Sequence, residues 1–316
     1  MKSLSKGSAS WLEVDESADG QRIDNFLVKT LKGVPRSHVY RILRSGEVRV
    51  NSGRIRASYR LQAGDRVRLP PVRVAEKGVA HRGNGRPVGE SPLFEDDWLL
   101  AINKPAGMAV HGGSGVSMGV IERLRDERPQ QLFLELVHRL DRETSGVLLL
   151  AKRRSALTNV HAQLREGRVD KRYRALVQGH WKSKQQTVRL PLRKYVSASG
   201  ERRVLVDQDE GAIAITVFKL MAHYGQFSLL EAHLKTGRTH QIRVHLAHLG
   251  FPIAGDDKYG DFAANKIMAK QGLKRMFLHA VSMRLMHPGS GETLQIQAPL
   301  ARELEQFLES RNPETT

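Results

Sequence analysis

The stretch from Leu136 to Leu150, LVHRLDRETSGVLLL, sets a run of polar and charged residues between two apolar segments. The apolar segments predict strand material on both sides of the run. A loop held between two strands is a rigid support for a reactive side chain. Residues His138 to Ser145 therefore form a candidate site loop, although composition alone favours an ordinary turn with solvated charges.

The segments on either side of this loop carry strand and helix patterns. Strand-like runs outnumber helical ones and several follow each other directly, which is typical of an α+β domain rather than a doubly wound one. For residues 92–316 we therefore predict an α+β domain on a mixed, largely antiparallel β-sheet. The predicted strands are Leu99–Asn103, Gly146–Ala151, Tyr173–Gln178, Ile213–Phe218 and Phe227–Leu234, and the predicted helices are Gly119–Arg128, Ser155–Glu166 and Thr239–Leu249.

A second, smaller domain is predicted over residues 20–74. Apolar residues from Ile23 to Leu31 recur at helical spacing, and a second helix is expected to begin near Pro35 and to stop at Gly46. Short strand signals follow on both sides of an Asn51–Gly53 turn. The order of two helices and a hairpin predicts a compact module.

The remaining segments connect or precede these domains. Residues 75–91 mix glycines with charges, which is the composition of a flexible linker. Residues 1–19 are expected to form an N-terminal tail. A length of 316 residues fits two domains of ordinary size.

The composition is strongly basic, with 51 Lys and Arg against 33 Asp and Glu and a formal net charge of +18. Such a charge repels itself unless a polyanion lies against it, so nucleic acid is the first partner to expect. Several basic residues of the small domain share one helix face or one strand face, apart from the apolar residues. A row of solvated charges is the alternative. The residues predicted to contact RNA are Arg22, Ser37, Arg41, Arg44, Arg54 and Arg56.

The composition also excludes several classes of site. The sequence contains no cysteine, which rules out disulfides, thiolate metal sites and cysteine nucleophiles. Met1–Ser10 is polar, and the longest apolar run, Val147–Ala151, is too short to cross a bilayer. We therefore expect a cytoplasmic protein without a membrane span.

The candidate loop resembles the signature of the pseudouridine synthases related to ribosomal large-subunit synthases A, C and D, in which His-Arg-Leu-Asp is followed by Thr-Ser-Gly. Three further stretches, Ala101–Gly113, Lys171–Val177 and Lys235–Leu246, are similar to other motifs of this family. Gly20–Leu27 and Arg41–Asn51 resemble the alpha-L type RNA-binding domain first known in a small-subunit ribosomal protein. The resemblance implies a catalytic domain preceded by an RNA-binding domain.

The resemblance also implies roles for particular residues. Asp141 corresponds to the essential catalytic aspartate and Arg243 to the arginine that pairs with it. Tyr173 corresponds to the tyrosine that contacts the uracil ring, and Arg139 to a residue implicated in filling the gap left by the extruded base. From the residues alone, half-buried packing of Tyr173 and snorkelling of Arg243 remain the alternatives.

The implied reaction converts uridines of large-subunit ribosomal RNA to pseudouridine. The N-glycosidic bond breaks, the uracil turns while bound, and its C5 rejoins the ribose C1′. A carboxylate can attack or stabilise an electron-poor sugar carbon, as in glycosidases. Attack on the sugar, abstraction of a ribose proton and addition to the base all remain open. The resemblance implies no metal, nucleotide or redox cofactor, and we expect a monomer.

Several rival interpretations are weaker. Gly115–Gly119 fits the G-x-S-x-G pattern of serine hydrolases, but Ser117 suits a helix cap better. His240, His245 and His248 lack the H-E-x-x-H spacing of a metal site. Asp141 and Glu143 as a glycosidase pair lie only two residues apart. A non-catalytic RNA-binding assembly factor and a synthase acting on transfer RNA are the serious alternatives.

Overall fold

In the computed structural model, the described residues are 9–31, 33–72, 88, 91–112, 118–198, 200–311 and 313. The chain divides into two compact units, Met1–Arg86 and Pro87–Thr316. The linker predicted over residues 75–91 lies almost wholly outside the described residues. Among the described residues, no helix is long and apolar enough to span a bilayer.

The N-terminal unit contains two helices and a small antiparallel sheet that share one apolar core. Ile23, Leu27, Val39 and Ile42 point from the helices into this core, where they meet Val67 of the sheet. The predicted pair of helices is therefore confirmed. The elements are β1 (Ser10–Glu13), α1 (Ile23–Thr30), α2 (Arg36–Arg44), β2 (Arg49–Val50), β3 (Gly53–Arg54) and β4 (Arg66–Leu69), with the strands in the order β1-β4-β2-β3.

Strand β1 corrects the prediction that residues 1–19 form a tail. Ser10–Glu13 pairs antiparallel with β4, with Trp11 opposite Arg68. Its side chains are half-buried or exposed in alternation. The sequence therefore lacks the strong apolar alternation that identifies a strand with one buried face.

The hairpin between β2 and β3 turns at Asn51 and Ser52, within the predicted Asn51–Gly53 turn, whose last residue begins β3. Asn51 and Ser52 both adopt positive φ, 48° and 68°. Two consecutive residues in this region match the twist of antiparallel strands. The Asn51 side chain donates to Asp65 Oδ1 at 2.8 Å and accepts from the Arg66 amide at 2.8 Å, which ties the turn to β4.

The second unit is built on one large, mostly antiparallel sheet, which confirms the predicted α+β class. Its continuous path runs β11-β10-β12-β13-β9-β14-β8-β6-β5, with β15 beside β14 and β7 beside β8. The strands are β5 (Phe94–Glu95), β6 (Leu99–Lys104), β7 (Glu135–Leu136), β8 (Ser145–Ala151), β9 (Asp170–Gln178), β10 (Gln185–Val196), β11 (Arg202–Val206), β12 (Ala212–Tyr224), β13 (Phe227–Leu234), β14 (Leu278–Met286) and β15 (Thr293–Gln297). The helices are α3 (Val120–Glu127), α4 (Arg154–Arg165), α5 (Gln241–His248), α6 (Phe262–Lys270) and α7 (Arg302–Glu309).

Strand β8 explains why the quoted stretch ends in an unbroken apolar run. Leu148 and Leu150 belong to one core cluster, and Val147, Leu149 and Ala151 belong to another. Because successive side chains of a strand point to opposite faces, both faces of β8 are covered. The loop before β8 is thus anchored to a fully buried strand.

Strand β14 joins two halves of the sheet. It pairs antiparallel with β9 and parallel with β8, and the β8–β14 pair is the parallel one among the described strands. At the start of this pair Gly146 has φ +108°, and a Cβ there would overlap the Ala280 carbonyl. The glycine in the Thr-Ser-Gly sequence is therefore required by the close approach of the two strands.

All five predicted strands and all three predicted helices of this unit are present. Strands β5, β10, β11, β14 and β15 and helices α6 and α7 were not predicted. Strand β10 has many exposed side chains and contains Pro191, and β14 carries polar residues such as His279 and Arg284. These strands lack a regular apolar period, so pattern alone does not reveal them.

Candidate active site

The candidate loop lies between β7 and β8 and is held at both ends by buried groups. His138 accepts a hydrogen bond from the Leu149 amide at 3.1 Å, and burial lowers the pKa of His138 to about 4, so the ring is neutral near pH 7. The buried Lys104 ammonium donates to the carbonyl oxygen of Arg142 at 3.0 Å. The backbone around Asp141 is therefore fixed by contacts to β8 and β6.

Lys104, in the Ala101–Gly113 stretch that resembles a family motif, also holds other backbone near the site. Its Nζ also donates to the carbonyl oxygens of Pro105 and Met108, at 2.7 and 2.8 Å. Burial lowers the pKa of Lys104 to about 7. The three carbonyl oxygens replace the water that the ammonium loses.

Asp141 and Arg243 lie together, although 102 residues separate them in the chain. Arg243 Nη1 is 3.3 Å from Asp141 Oδ2. Arg243 comes from helix α5, and its side chain is only 5% exposed, whereas that of Asp141 is 18% exposed. A buried guanidinium thus faces a carboxylate that remains accessible from the cavity.

Asp256 holds the other side of the Arg243 guanidinium and was not predicted. Arg243 Nε and Nη2 donate to the two Asp256 carboxylate oxygens at 2.8 and 2.7 Å. Asp256 also accepts from the amides of Lys258 and Tyr259. Burial lowers the pKa of Arg243, but Asp256 and then Asp141 outweigh it and raise the pKa overall. This two-pronged pairing fixes the plane of the guanidinium.

We expect Asp256 to make stability depend on pH in the acid range. Burial raises its pKa, but the hydrogen bonds and charge of Arg243 outweigh this and lower the pKa below the ordinary value of 3.8. A carboxyl with a depressed folded pKa contributes stability above its unfolded pKa and loses it as the pH falls through the folded pKa. Between about pH 5 and 3, the free energy of unfolding should therefore fall less steeply in Asp256→Asn than in the wild type.

Asp257→Asn is the matched control for this measurement. Asp257 is 3.5 Å from the same guanidinium, but its side chain is 76% exposed. Exposed ion pairs contribute little to stability. In urea unfolding at several pH values, the free energy of unfolding of this control should change with pH as it does in the wild type. The same change in Asp256→Asn would contradict the assigned effect of Asp256.

Tyr173 and Arg139 line the same cavity as Asp141 and Arg243. Tyr173 is buried on β9, and its pKa is raised by burial and by the charge of Asp141, so its hydroxyl stays protonated. Arg139 is exposed. Lys171, which was not predicted, lines the cavity as well, and burial lowers its pKa. All four predicted residues are thus brought to one cavity.

Helix α5 begins at Gln241, two residues later than the predicted helix Thr239–Leu249. The residue at its N-cap position is His240, with φ 53° and ψ 19°, and not Thr239, with which the predicted helix begins. Ile242 and Leu246 of this helix are buried. The His240 ring reaches towards Asp141, with Nε2 3.9 Å from Oδ2.

Three rival interpretations can be compared with the structure. Asp141 and Glu143 line different cavities, which argues against a glycosidase pair. Ser117 lies outside the described residues, and helix α3 has Gly119 at its N-cap, so Ser117 is not the cap. Within the described residues no cluster of three or more His, Asp or Glu side chains is suited to a metal ion.

The residues predicted to contact RNA are all exposed in the N-terminal unit. Arg22 is engaged by the buried carboxylate of Asp24, with Nη2 2.6 Å from Oδ2, which gives it a structural role. Arg49 lies opposite Arg54 on one side and opposite Arg68 on the other. Three arginines therefore lie side by side across three strands. Of these, only Arg54 is among the residues predicted to contact RNA.

The family model for RNA pseudouridylate synthase matches residues 98–248, and the S4 domain model matches residues 21–67. Ribosomal large subunit pseudouridine synthase C of Pasteurella multocida is 54% identical over 301 residues, which cover 94% of this chain and 92% of that protein. The protein of the same name from Escherichia coli K12 is 53% identical over 296 residues, which cover 92% of each chain. The chain belongs to the RNA pseudouridine synthase family.

Solved structures agree with this membership. Human RNA pseudouridylate synthase domain containing 1 is 25% identical, with a TM-score of 0.59, over 73% of this chain and 91% of that one. Human RNA pseudouridylate synthase domain containing 4 is also 25% identical, with a TM-score of 0.60, over 72% and 95%. The synthase is an isomerase of RNA uridine, and its N-terminal unit contains the S4 domain that the sequence predicts.

The sequence also distinguishes among the three types in the family. Three stretches resemble synthase C more than synthase D: Val34–Pro35, Pro70–Glu76 and the form of the signature over Asp141–Thr144. They also argue against synthase A, which lacks the N-terminal domain. The relatives named above are of the C type, so this prediction is confirmed.

Proposed function

We propose that this synthase isomerises specific uridines of large-subunit (23S) ribosomal RNA, with Asp141 as its catalytic carboxylate. The observation that supports this best is the accessible Asp141 carboxylate 3.3 Å from the buried Arg243 guanidinium, in a chain 54% identical to ribosomal large-subunit synthases. Family membership argues against the non-catalytic assembly factor. A transfer RNA substrate is the remaining alternative.

The proposed chemistry requires an ionised carboxylate, whichever of its three possible first steps occurs. Arg243 supplies a positive charge beside Asp141, and Asp256 keeps that charge in place. Overall, the N1–C1′ bond breaks, a C5–C1′ bond forms, and one proton leaves C5 while one joins N1. The atoms balance without an oxidant or a second substrate.

The other cavity residues suit an extruded base. Tyr173 presents a buried ring at the cavity, on which a uracil can stack. Arg139 is exposed at the cavity and has a planar guanidinium, which can stack in the space that the base leaves. Lys171 and Lys235 add positive charge beside the same cavity, which suits the RNA phosphates.

Mapping of pseudouridine in defined transcripts tests the proposed substrate. Purified synthase is incubated with unmodified large-subunit ribosomal RNA and, separately, with unmodified transfer RNAs, and pseudouridines are located by chemical labelling and reverse-transcription stops. Discrete new stops in the ribosomal RNA support the proposal. Stops confined to the transfer RNAs would replace the ribosomal substrate with the alternative one.

We propose that the S4 domain binds the RNA backbone through the exposed basic residues of α2 and of the sheet. Like charges opposite each other weaken a sheet, and bound phosphates would offset the repulsion in the Arg54, Arg49 and Arg68 row. Arg41 and Arg44 are exposed near the end of α2. Ser37, on the same helix, and Arg56 belong to the same proposed surface.

Arg41→Ala combined with Arg44→Ala is expected to reduce the salt dependence of RNA binding. Each lost phosphate contact lowers the slope of log K against log[salt] by about 0.7 to 0.9. Lys266→Ala with Lys270→Ala, on the exposed face of α6, removes the same charge from the other unit. Filter binding at several salt concentrations should show the change only in the first variant, and equal slopes in the two variants would contradict the proposed surface.

The proposal also covers partners and location. The chemistry uses side chains alone, so we propose that the synthase needs no metal, nucleotide or redox cofactor. We further propose that it acts as a monomer in the cytoplasm. In bacteria, such as those that carry its relatives, this is where ribosomes are assembled. Light scattering of the purified chain, alone and with RNA, tests the monomer.

A further inference from the structure

His240 has a backbone conformation that few residues with a side chain adopt. Its φ is 53°, in the left-handed region, and the other non-glycine residues with positive φ among those described are the hairpin residues Asn51 and Ser52. Such a conformation is unfavourable for a residue with a side chain and persists where the surrounding structure enforces it. In His240 it accompanies a side chain directed at the cavity.

Two groups contact the His240 ring from opposite sides. Nδ1 is 2.7 Å from the hydroxyl of Tyr259, and Nε2 is 3.9 Å from Asp141 Oδ2. Arg243 Nη1 is 3.3 Å from that same carboxylate oxygen. Arg243 Nη1 and His240 Nε2 therefore both face Asp141 Oδ2, and neither contact involves Oδ1.

The contacts of Tyr259 assign the proton on the ring. The Tyr259 oxygen accepts a hydrogen bond from the Val204 amide at 2.9 Å, so its own proton is available to His240 Nδ1. Nδ1 then carries no proton, and a neutral ring holds its proton on Nε2, towards Asp141. Burial first, and then Arg243 and Lys258, lower the pKa of His240, against the opposing charges of Asp141 and Asp256.

Tyr259 also connects His240 with the arginine. Its ring lies under the Arg243 guanidinium, 5.1 Å from Cζ to the ring centroid, and its amide donates to Asp256 at 3.0 Å. The turn from Asp256 to Tyr259 therefore supports both groups that face Asp141.

We propose that His240 is a positioning residue of the synthase: its Nε2–H, oriented by Tyr259, holds Asp141 Oδ2 together with Arg243 and leaves Oδ1 directed at the uridine. This rests on the proposed role of Asp141. The proposal requires this 3.9 Å separation to shorten to a hydrogen bond when RNA binds, as catalytic contacts are commonly long before the substrate is present.

Two substitutions separate positioning from a purely structural role. The side-chain amide of Asn reaches about as far as Nδ1, whereas that of Gln reaches about as far as Nε2. Asn tolerates the left-handed backbone well, and Gln does so less readily. If His240 has only a structural role, His240→Asn should retain the higher rate of pseudouridine formation. If His240 positions Asp141, His240→Gln should retain the higher rate, because it keeps a donor for Asp141.

Single-turnover assays with wild type, His240→Gln, His240→Asn, Tyr259→Phe and Asp141→Asn test this. A misplaced catalytic group costs up to about 100-fold in rate. We expect His240→Asn to lose roughly 10- to 100-fold in the rate of pseudouridine formation at saturating RNA, and His240→Gln to recover most of it. RNA affinity should stay within about twofold, since the phosphate contacts are unchanged.

Each outcome decides the question. A wild-type rate in His240→Asn overturns the inference. If both His240 variants are slow, Tyr259→Phe decides, because it removes only a hydroxyl: a reduced rate supports the inference and a wild-type rate overturns it. An active wild type beside an inactive Asp141→Asn leaves the proposed function intact whatever His240 does. A wild type that forms no pseudouridine on any RNA ends both proposals.

Discussion

Asp141→Asn is expected to lower the rate of pseudouridine formation by roughly 10³-fold or more, because the amide can neither attack a carbon nor accept a proton as a carboxylate does. The side chain keeps its size and lies at the surface of the cavity, 18% exposed. RNA affinity should therefore change by no more than about twofold. Single-turnover conversion of a short ribosomal RNA fragment and filter binding of the same fragment measure the two quantities.

Glu143→Gln is the matched control for this variant. Glu143 lies in the same loop, two residues away, but it faces a different cavity and contacts Arg142. The Glu143→Gln substitution replaces a carboxylate with an amide, as Asp141→Asn does. A rate near that of the wild type is expected, and an equal loss in both variants would mean that the loop, not the Asp141 carboxylate, is what matters.

Arg243→Met is expected to reduce both stability and activity. It leaves the Asp256 carboxylate buried and unpaired, and the loss of one partner of a buried pair costs about 3 to 5 kcal/mol in the free energy of unfolding. It also removes the positive charge beside Asp141. Urea unfolding measures the first effect, and single-turnover conversion at a temperature where the variant remains folded measures the second.

The double variant Arg243→Met with Asp256→Asn separates these effects. Replacing the buried carboxylate with a neutral amide removes the uncompensated charge, so the double variant should be more stable than Arg243→Met alone. Its activity should stay low, since Asp141 still lacks its partner. A double variant that is less stable than Arg243→Met would contradict the view that Asp256 is held by the guanidinium.

Much of the site could be predicted because the residues that contact one another lie in recognisable motifs. Asp141, Tyr173 and Arg243 come from three stretches that resemble the family, and the structure brings them to one cavity. The central strands were predictable as well, because residues such as Leu148 and Leu149 are buried on both faces of the sheet.

The unpredicted residues act through contacts that sequence does not reveal. Asp256 and Tyr259 lie in a turn rich in charges, where composition indicates solvent exposure, yet the Asp256 side chain is only 1% exposed. His240 was read as one of several histidines because a left-handed backbone leaves no pattern in the sequence. Strand β10 has mixed exposure along its length, so it shows neither helical nor strand periodicity.

The position of β14 between β8 and β9 has a consequence for protein synthesis. Asp141 precedes β8, whereas Tyr173 lies on β9 and Arg243 follows β13, so β14 joins the part of the sheet that carries Asp141 to the part that carries its partners. Leu278–Met286 comes later in the chain than Asp141, Tyr173 and Arg243. A growing chain that already contains all three site residues therefore lacks the strand that joins them until β14 has been synthesised.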